Sequence, residues 1–439
     1  MVRDGGLVTA VDSRRGSHAA LLCGYEVLVA VLLFGDYLAL TLSRALTGTA
    51  GNWILCTAVL QALVLGGAGM LGRFRGRWSV PLLLGYLGVV ALMLGHVLVV
   101  ALAGNELDSY AEQKVFAATL LLGPSLLCGM ALGRHADLPG RRLGPALLVP
   151  LLVMCLVAVM TDPRQLTIAY FDALPVWFGF LVMPAHQGLA CSLAKGAVAG
   201  FAMASETERG RRGKILVLSA VGVLVGLALL SGARSYAFAL LAALAVQLLG
   251  SRRRLPMVAL GTIVAVALFA NFAPDLVYER FDLQTVSDTL AYREREDAWS
   301  AAWATFLANP WVGAGPGGFA RAMNYGGRVY PHNLVLEIAS ELGILGLIAF
   351  GLMVVPVVLR CGSRLLRQDR LDPRQSFCFG LLTFGLLGAM SVGDIIRNHF
   401  VFLGLGMAAT AFLPAARGAS ARVGRRVVKP QAKRLEKAG

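Results

Sequence analysis

Charged residues are scarce in this chain. They make up 15% of its 439 residues, whereas 57% of the residues are hydrophobic and the mean hydropathy is +0.69. Soluble globular domains carry about 25% charged residues. The shortage of charge excludes an ordinary soluble domain, and we expect a chain that is solvated by a lipid bilayer.

Several motifs are also missing. The seven cysteines form no CxxC pair and no Cys/His spacing, and none of them falls in a predicted exported loop. The sequence therefore predicts no disulfide framework, no metal site and no cofactor. It lacks the GxSG and HExxH motifs of intramembrane proteases, and it lacks the Asp-x-Asp site and soluble cytoplasmic domain of nucleotide-sugar enzymes.

The net charge of +15 does not indicate nucleic-acid binding. A nucleic-acid site gathers basic residues on one exposed face, whereas here they lie in short loops between apolar runs and in a basic tail. We expect membrane lipids, and no nucleic acid, as partners of these residues. The tail, residues 417–439, fits attraction to anionic lipid.

Apolar runs of about 20 residues, the length of a membrane-spanning helix, recur along the chain. We place twelve of them near residues 19–46, 52–72, 78–103, 115–133, 144–160, 175–203, 215–231, 235–250, 256–273, 333–359, 375–394 and 399–416. Loops rich in Lys and Arg stay cytoplasmic, and alternate loops hold 29 of the 40 basic residues. This alternation supports the number of spans and predicts that both termini are cytoplasmic.

The predicted fold class is an all-α integral membrane protein with about 12 transmembrane helices. One long loop on the outer side contains an amphipathic helix. The predicted units are residues 1–273 with helices one to nine, loop 274–332, residues 333–416 with helices ten to twelve, and tail 417–439.

The amphipathic helix runs from Asp288 to Leu307. Helical spacing puts Arg295 on one stripe with the aromatic residues Trp299, Trp303 and Phe306, where we expect the helix to dock. Arg293 falls on another face and can pair with Asp297, so we interpret it as a solvated residue. The alternative for Arg295 is snorkelling over Trp299.

A glycine-rich segment follows at residues 309–319. It comes after a helix rather than a strand and has no Lys-Ser/Thr ending, so a nucleotide fingerprint is disfavoured. The spacing favours a tight turn at the membrane over phosphate binding by backbone amides.

Polar residues then open helix ten. Asn333, Glu337 and Glu341 recur at i, i+4 and i+8 and share one face, with His332 at its mouth. Carboxylates inside a membrane helix must face protein or a wet cavity. We predict that His332 accepts a proton, whereas Glu341 either acts in the site or braces a neighbouring helix.

Further basic residues lie at the outer surface. Arg234 separates two apolar runs there, against the positive-inside rule, and is either a functional or a snorkelling charge. Arg164, Arg397 and His399 also lie near this surface, whereas His96 and His186 fall inside spans and are interpreted as packing residues.

Together these pieces resemble the O-antigen ligase and polymerase superfamily of membrane glycosyltransferases. The matching pieces occur in family order: Ser231-Gly-Ala-Arg234-Ser235, Arg295 before Trp299, the segment Asn309 to Phe319, and His332-Asn333 with Glu337, Glu341, Gly343 and Gly346.

The resemblance implies an inverting, metal-independent transfer of a glycan from an undecaprenyl diphosphate carrier to an acceptor hydroxyl. The acceptor is lipid A-core for a ligase or a growing glycan for a polymerase, at the periplasmic side of a bacterial inner membrane. Carried over by position, His332, Arg295 and Arg234 are the catalytic residues. The substrate-binding set is Arg234, Arg295, Asn333, Glu337, Arg164 and Arg397.

A transporter or flippase is the alternative function. It would use intramembrane charges such as Glu26, Asp36, Glu337 and Lys195 as a substrate path. The sequence shows neither the internal repeat nor the paired broken helices of such folds.

Overall fold

The structure is a computed structural model that describes Val59, Gln61 and residues 80–133, 186–204, 210–230, 234–249, 290–323, 330–367 and 371–412. Every regular element in these segments is helical, which confirms the all-α prediction there. The helices are α1 (Val80–Leu102), α2 (Ser109–Ala117), a π-helical turn (Ala118–Leu122), α3 (Gly123–Leu132), α4 (His186–Met203), α5 (Arg211–Leu230), α6 (Arg234–Leu249), α7 (Leu290–Ala308), α8 (Gly318–Ala322), α9 (Leu334–Arg367), α10 (Pro373–Ala389) and α11 (His399–Ala411).

Three stretches of the described chain are long and apolar enough to cross a membrane. They are Val80–Leu102, Ser109–Leu132 and Leu334–Arg367. Helices lie over eight of the twelve predicted spans. Several predicted segments lie outside the described residues. They are the spans near 19–46, 144–160 and 256–273, nearly all of the span at 52–72, parts of loop 274–332, and the tail at 417–439. The number of twelve therefore stays a prediction.

The second of these stretches begins before the predicted start at residue 115. Asp108 caps α2, and its Oδ1 accepts the backbone N–H of Tyr110 at 2.7 Å. A π-helical turn precedes Pro124, which has no N–H to donate to the turn before it. The Tyr86 hydroxyl on α1 donates to the Ala118 carbonyl at 3.0 Å and so satisfies an acceptor of this irregular turn.

Helix α9 is broken at Gly343, where φ is +66° and ψ is −161°. Only glycine adopts this backbone conformation readily. Beyond the break, α9 carries an outward-facing stripe at helical spacing, as expected for contact with lipid. The exposed members are Leu345, Ile348, Leu352, Val355 and Leu359.

Helices α3 and α11 cross so closely that only glycine fits at the contact. A Cβ on Gly129 would overlap the Leu403 carbonyl oxygen, and a Cβ on Gly406 would overlap the Leu126 carbonyl oxygen. Small residues allow membrane helices to approach in this way.

The docked face of α7 differs from the aromatic stripe that the sequence predicts. The buried side chains are Ala298, Ala302 and Thr305, whereas Trp299 and Trp303 are 37% and 52% exposed. Small residues let the helix backbone approach α9 closely, and the indole rings are left on the outside. Exposed tryptophans suit a membrane–water interface.

Candidate active site

A buried ion cluster joins α2 to the first half of α9. The side chain of Lys114 is fully buried, and its Nζ lies 2.5 Å from Glu337 Oε1 and 2.7 Å from Glu341 Oε1. The two glutamates are 1% and 2% exposed. Charges are costly inside a protein unless they are paired. The shared ammonium therefore accounts for two carboxylates on this helix, and the contact with α2 favours the bracing role for Glu341.

The segment between α10 and α11 is tied to the same cluster. Glu337 Oε2 accepts the backbone N–H of Ile395 at 3.0 Å. Asp394 Oδ2 accepts the Tyr110 hydroxyl at 2.9 Å, and its Oδ1 accepts the backbone N–H of Arg397 at 3.0 Å. We call the stretch from Asp394 to Arg397 the Arg397 turn. Side chains from α9 and α2 hold it in place.

His332 precedes α9 in a backbone conformation that few residues adopt. Its φ is +52°, the one positive value at a non-glycine position in the described segments. Strain of this kind collects at functional sites. The imidazole centroid lies 4.4 Å from that of the Tyr330 ring. Its buried Nδ1 has no hydrogen-bond partner among the described residues.

Burial and two arginines keep this imidazole neutral. Burial, followed by the charges of Arg295 and Arg397, lowers the pKa of His332 from 6.5 to about 4, and Asp394 opposes the shift. The guanidinium carbon of Arg397 lies 6.0 Å from the centre of the Tyr330 ring. Two cations from separate elements thus lie near one neutral histidine.

The structure distinguishes the two arginines of α7 as the sequence predicts. Arg295 is half-buried, and its charge acts on both His332 and Tyr330. Arg293 is exposed. The reason differs in part from the prediction, because Arg295 borders the small docked face while the tryptophans face outward.

The structure shows less about the other two predicted arginines, Arg234 and Arg164. Arg234 begins α6, two residues before Tyr236. The ring of Tyr236 packs against Phe384, and a Cβ on Gly388 would lie 3.1 Å from it. The start of α6 therefore lies beside the end of α10, shortly before the Arg397 turn. Arg164 lies outside the described residues.

The glycine-rich segment fills the break in α9. Two of its amides donate to carbonyls before the break, and two of its carbonyls accept amides after it. These bonds are Ala314 N to Ser340 O and Gly315 N to Glu341 O at 2.9 Å each, Ile344 N to Pro310 O at 2.7 Å, and Leu345 N to Trp311 O at 3.2 Å.

Three of the four glycine amides in this segment donate hydrogen bonds within the protein. Besides Gly315, the amides of Gly313 and Gly318 bond to the Asn309 and Gly315 carbonyls, and the Gly317 amide lies near the Glu341 carboxylate. These contacts support a structural role and leave the amides little capacity to bind phosphate. A membrane-embedded break is tolerated because the protein satisfies its polar groups.

Asn333 and Glu337 have structural contacts of their own. Asn333 Oδ1 accepts the backbone N–H groups of Val335 and Leu336 at 3.0 and 3.1 Å, which makes it the cap of α9. Both carboxylate oxygens of Glu337 are engaged, by Lys114 and Ile395. Their roles in substrate binding stay predictions.

The sequence reasoning missed four residues of this region: Lys114, Tyr110, Tyr330 and Asp394. One signal pointed to the first of them. Buried carboxylates need a cation, and Lys114 immediately precedes the predicted span at 115–133. Because the predicted span began at residue 115, Lys114 was assigned to a loop.

His399 and Lys195 lie deeper in the same region. Both are buried, and the Lys195 ammonium lies 4.6 Å from the centre of the Phe400 ring. His96 packs against Gly315 and bonds to the Leu92 carbonyl, as expected of a packing histidine.

The arrangement suits chemistry on an anionic substrate. Arg295 and Arg397 offer planar two-point contacts to phosphate oxygens, and the neutral His332 can accept a proton beside them. The described residues contain no group of three or more His, Cys, Asp or Glu placed to hold a metal ion. Lys114 occupies the space between the two glutamates.

Comparison with known proteins adds one match. Residues 215–351 match a family model described as O-antigen ligase. The matched segment includes Arg234, Arg295 and His332, whereas Lys114 and the Arg397 turn lie outside it. No curated protein matches the chain, and no solved structure does. The match confirms the predicted resemblance to the O-antigen ligase and polymerase superfamily, a group of glycan-transferring membrane proteins.

Proposed function

We propose that this chain, whose residues 215–351 carry the O-antigen ligase signature, transfers a glycan from undecaprenyl diphosphate to an acceptor hydroxyl. The reaction takes place at the periplasmic side of a bacterial inner membrane. Ligation of O-antigen to lipid A-core is the favoured reaction, and polymerisation of O-antigen or exopolysaccharide repeats is the second.

The observation that carries the proposal is a neutral histidine flanked by two arginines. His332 Nδ1 has no hydrogen-bond partner within the described part of the chain, and burial, followed by the charges of Arg295 and Arg397, lowers the pKa of His332 to about 4. Fixed cations favour a diphosphate leaving group because they lie where negative charge develops. We add Arg234 to this set because the resemblance to the superfamily implies that it holds the diphosphate.

The proposed reaction is a single inverting displacement without a metal. His332 takes the proton of the acceptor hydroxyl as the oxygen attacks the anomeric carbon. The bond between that carbon and the diphosphate oxygen breaks, and the diphosphate keeps the electron pair. General-base assistance is typically worth about a hundred- to ten-thousand-fold in rate.

The low pKa of His332 is compatible with this role. In the protein alone, burial and the two nearby cations disfavour the imidazolium. A bound diphosphate brings at least two negative charges to the same arginines, so its arrival raises the pKa. The histidine therefore becomes a stronger base when the donor is present.

The test compares His332→Ala, Arg295→Ala and Arg293→Ala in proteoliposomes supplied with a lipid-linked donor. The first two variants should fold and lose transfer by a hundredfold or more, whereas Arg293→Ala should stay within a few-fold of wild type. Wild-type transfer by His332→Ala and Arg295→Ala would refute the assignment. An equal loss in Arg293→Ala would refute the distinction between the two faces of α7.

Deletion of the protein in its host separates the two reactions. Long glycans that accumulate on undecaprenyl diphosphate indicate a lost ligase. Single repeats that accumulate there indicate a lost polymerase.

A transporter or flippase is the second candidate, and the break in α9 is the observation that favours it. Four backbone hydrogen bonds from the glycine-rich segment close that break, which supports a scaffold over a substrate path. Movement of labelled lipid-linked glycan without a new glycosidic bond would support transport instead.

A further inference from the structure

Lys114 is a fully buried cation among three buried carboxylates. Glu337 and Glu341 bind it directly, and Asp394 is 3% exposed and receives the Tyr110 hydroxyl. The Lys114 ammonium also lies 4.7 Å from the centre of the Tyr110 ring. Such a network is retained only if its members satisfy one another. The Lys114 ammonium thus ties α2 to both glutamates of α9.

A continuous series of contacts leads from this cation to Arg397. Lys114 holds one oxygen of Glu337, and the other oxygen accepts the Ile395 amide at 3.0 Å. Next to Ile395, Asp394 accepts the Arg397 amide at 3.0 Å. The Arg397 guanidinium then lies beside the Tyr330 ring, which contacts His332.

The cluster joins parts of the chain that are distant in sequence. The family match covers α7, the glycine-rich segment and the first half of α9. Lys114 comes from α2 before it, and the Arg397 turn follows it. Within the matched segment, Glu337 bonds to Lys114 and also to the Arg397 turn.

We propose that the Lys114–Glu337 pair is a positioning device that fixes the Arg397 turn, so that the Arg397 guanidinium meets the diphosphate of the lipid-linked donor. The proposal rests on the proposed function. Glu337 acts through the turn rather than on the substrate, and Lys114 acts through Glu337.

Glu341 supplies a matched control. It lies on the same helix one turn away, is equally buried and binds the same ammonium. It differs in its other neighbour: Glu341 lies near the Gly317 amide, whereas Glu337 accepts the Ile395 amide. Glu337→Gln and Glu341→Gln therefore make the same chemical change, and only the first removes a contact with the turn.

The first measurement reports on the Arg397 turn and needs no activity assay. Hydrogen exchange of the peptide that contains Ile395 and Arg397 should accelerate in Glu337→Gln and Lys114→Met, and it should stay at the wild-type rate in Glu341→Gln. If Lys114→Met does not fold, Glu337→Gln carries the comparison alone. Equal acceleration in Glu337→Gln and Glu341→Gln would mean general loosening of the cluster and would overturn the proposal.

The second measurement follows the donor site. Binding of undecaprenyl diphosphate to the purified protein should weaken tenfold or more in Glu337→Gln and in Arg397→Ala, and by less than twofold in Glu341→Gln. In a transfer assay the same variants should raise the donor KM more than they lower kcat. Faster exchange with unchanged undecaprenyl diphosphate binding would overturn the positioning role.

The two proposals fail differently. If wild type transfers no glycan, the proposed function is wrong, whereas undecaprenyl diphosphate binding still decides whether the pair positions an anion site. If wild type transfers glycan and Glu337→Gln binds the carrier normally, the positioning proposal alone is wrong.

Discussion

The lowered pKa of His332 gives a quantitative prediction for the pH dependence of glycan transfer. Burial, Arg295 and Arg397 bring the value from 6.5 to about 4. At pH 5.5 a histidine with a pKa of about 4 is about 97% neutral, whereas an ordinary histidine is only about 9% neutral. Only the neutral imidazole accepts a proton, so the two cases differ about tenfold in competent enzyme at that pH.

The assay is a pH profile of kcat/KM for the donor, because this ratio reports the pKa of the base in the free enzyme. Wild type should keep its activity down to pH 5.5 and lose it as the pH falls towards 4. Proton uptake by His332 is what removes the activity, so the loss lies on the acid side. The kcat profile should break at a higher pH, because the bound diphosphate raises the pKa.

Removing a nearby positive charge tests the cause of the lowered pKa of His332. Arg295→Met should move the break in kcat/KM to higher pH, since one repelling cation is gone. Arg293→Met removes an exposed charge from the same helix and should leave the break in place. Titration of the His332 ring by NMR, assigned with His332→Gln, checks the value without turnover. A wild-type break near pH 6.5, or equal profiles for the two arginine variants, would refute the reasoning.

The remaining predictions concern the scaffold. Gly406→Val should destabilise the protein by roughly 1–3 kcal/mol because its side chain would overlap the Leu126 carbonyl, whereas Gly351→Val, with open space around it, should have a much smaller effect on the thermal unfolding midpoint. Gly343→Ala places a side chain at φ +66° against the Trp311 backbone and should lower both stability and activity. Asn333→Ala removes the cap of α9 and should cost about 1 kcal/mol in denaturant unfolding, and a far larger loss would indicate a second role for Asn333.

Much of the site could be predicted from residue spacing. Helical periodicity separated Arg295 from Arg293, because residues two positions apart in a helix are about 200° apart around its axis. Spacing also placed Glu337 and Glu341 on one face, and the high cost of lipid-facing carboxylates predicted a protein partner for them. These inferences hold because they depend on one helix at a time.

Other expectations depended on contacts between elements and were less complete. The face by which α7 docks is set by how closely α9 approaches, so the small residues Ala298 and Ala302 are buried and Trp303 is not. Hydrophobicity alone ranks the indole as the better core residue. In a membrane protein, however, the outside is apolar as well, and it accepts the ring.

The sequence by itself determined a helical, membrane-embedded chain and the set of residues in which Arg295 and His332 lie, because hydropathy and helical period act within short segments. Only the tertiary structure decided that Lys114 pairs with Glu337 and that the Arg397 turn comes beside His332. Lys114 and Glu337 are more than 200 positions apart along the chain. Ion pairing constrains distance in space, and no local pattern records which distant partner a buried charge will meet.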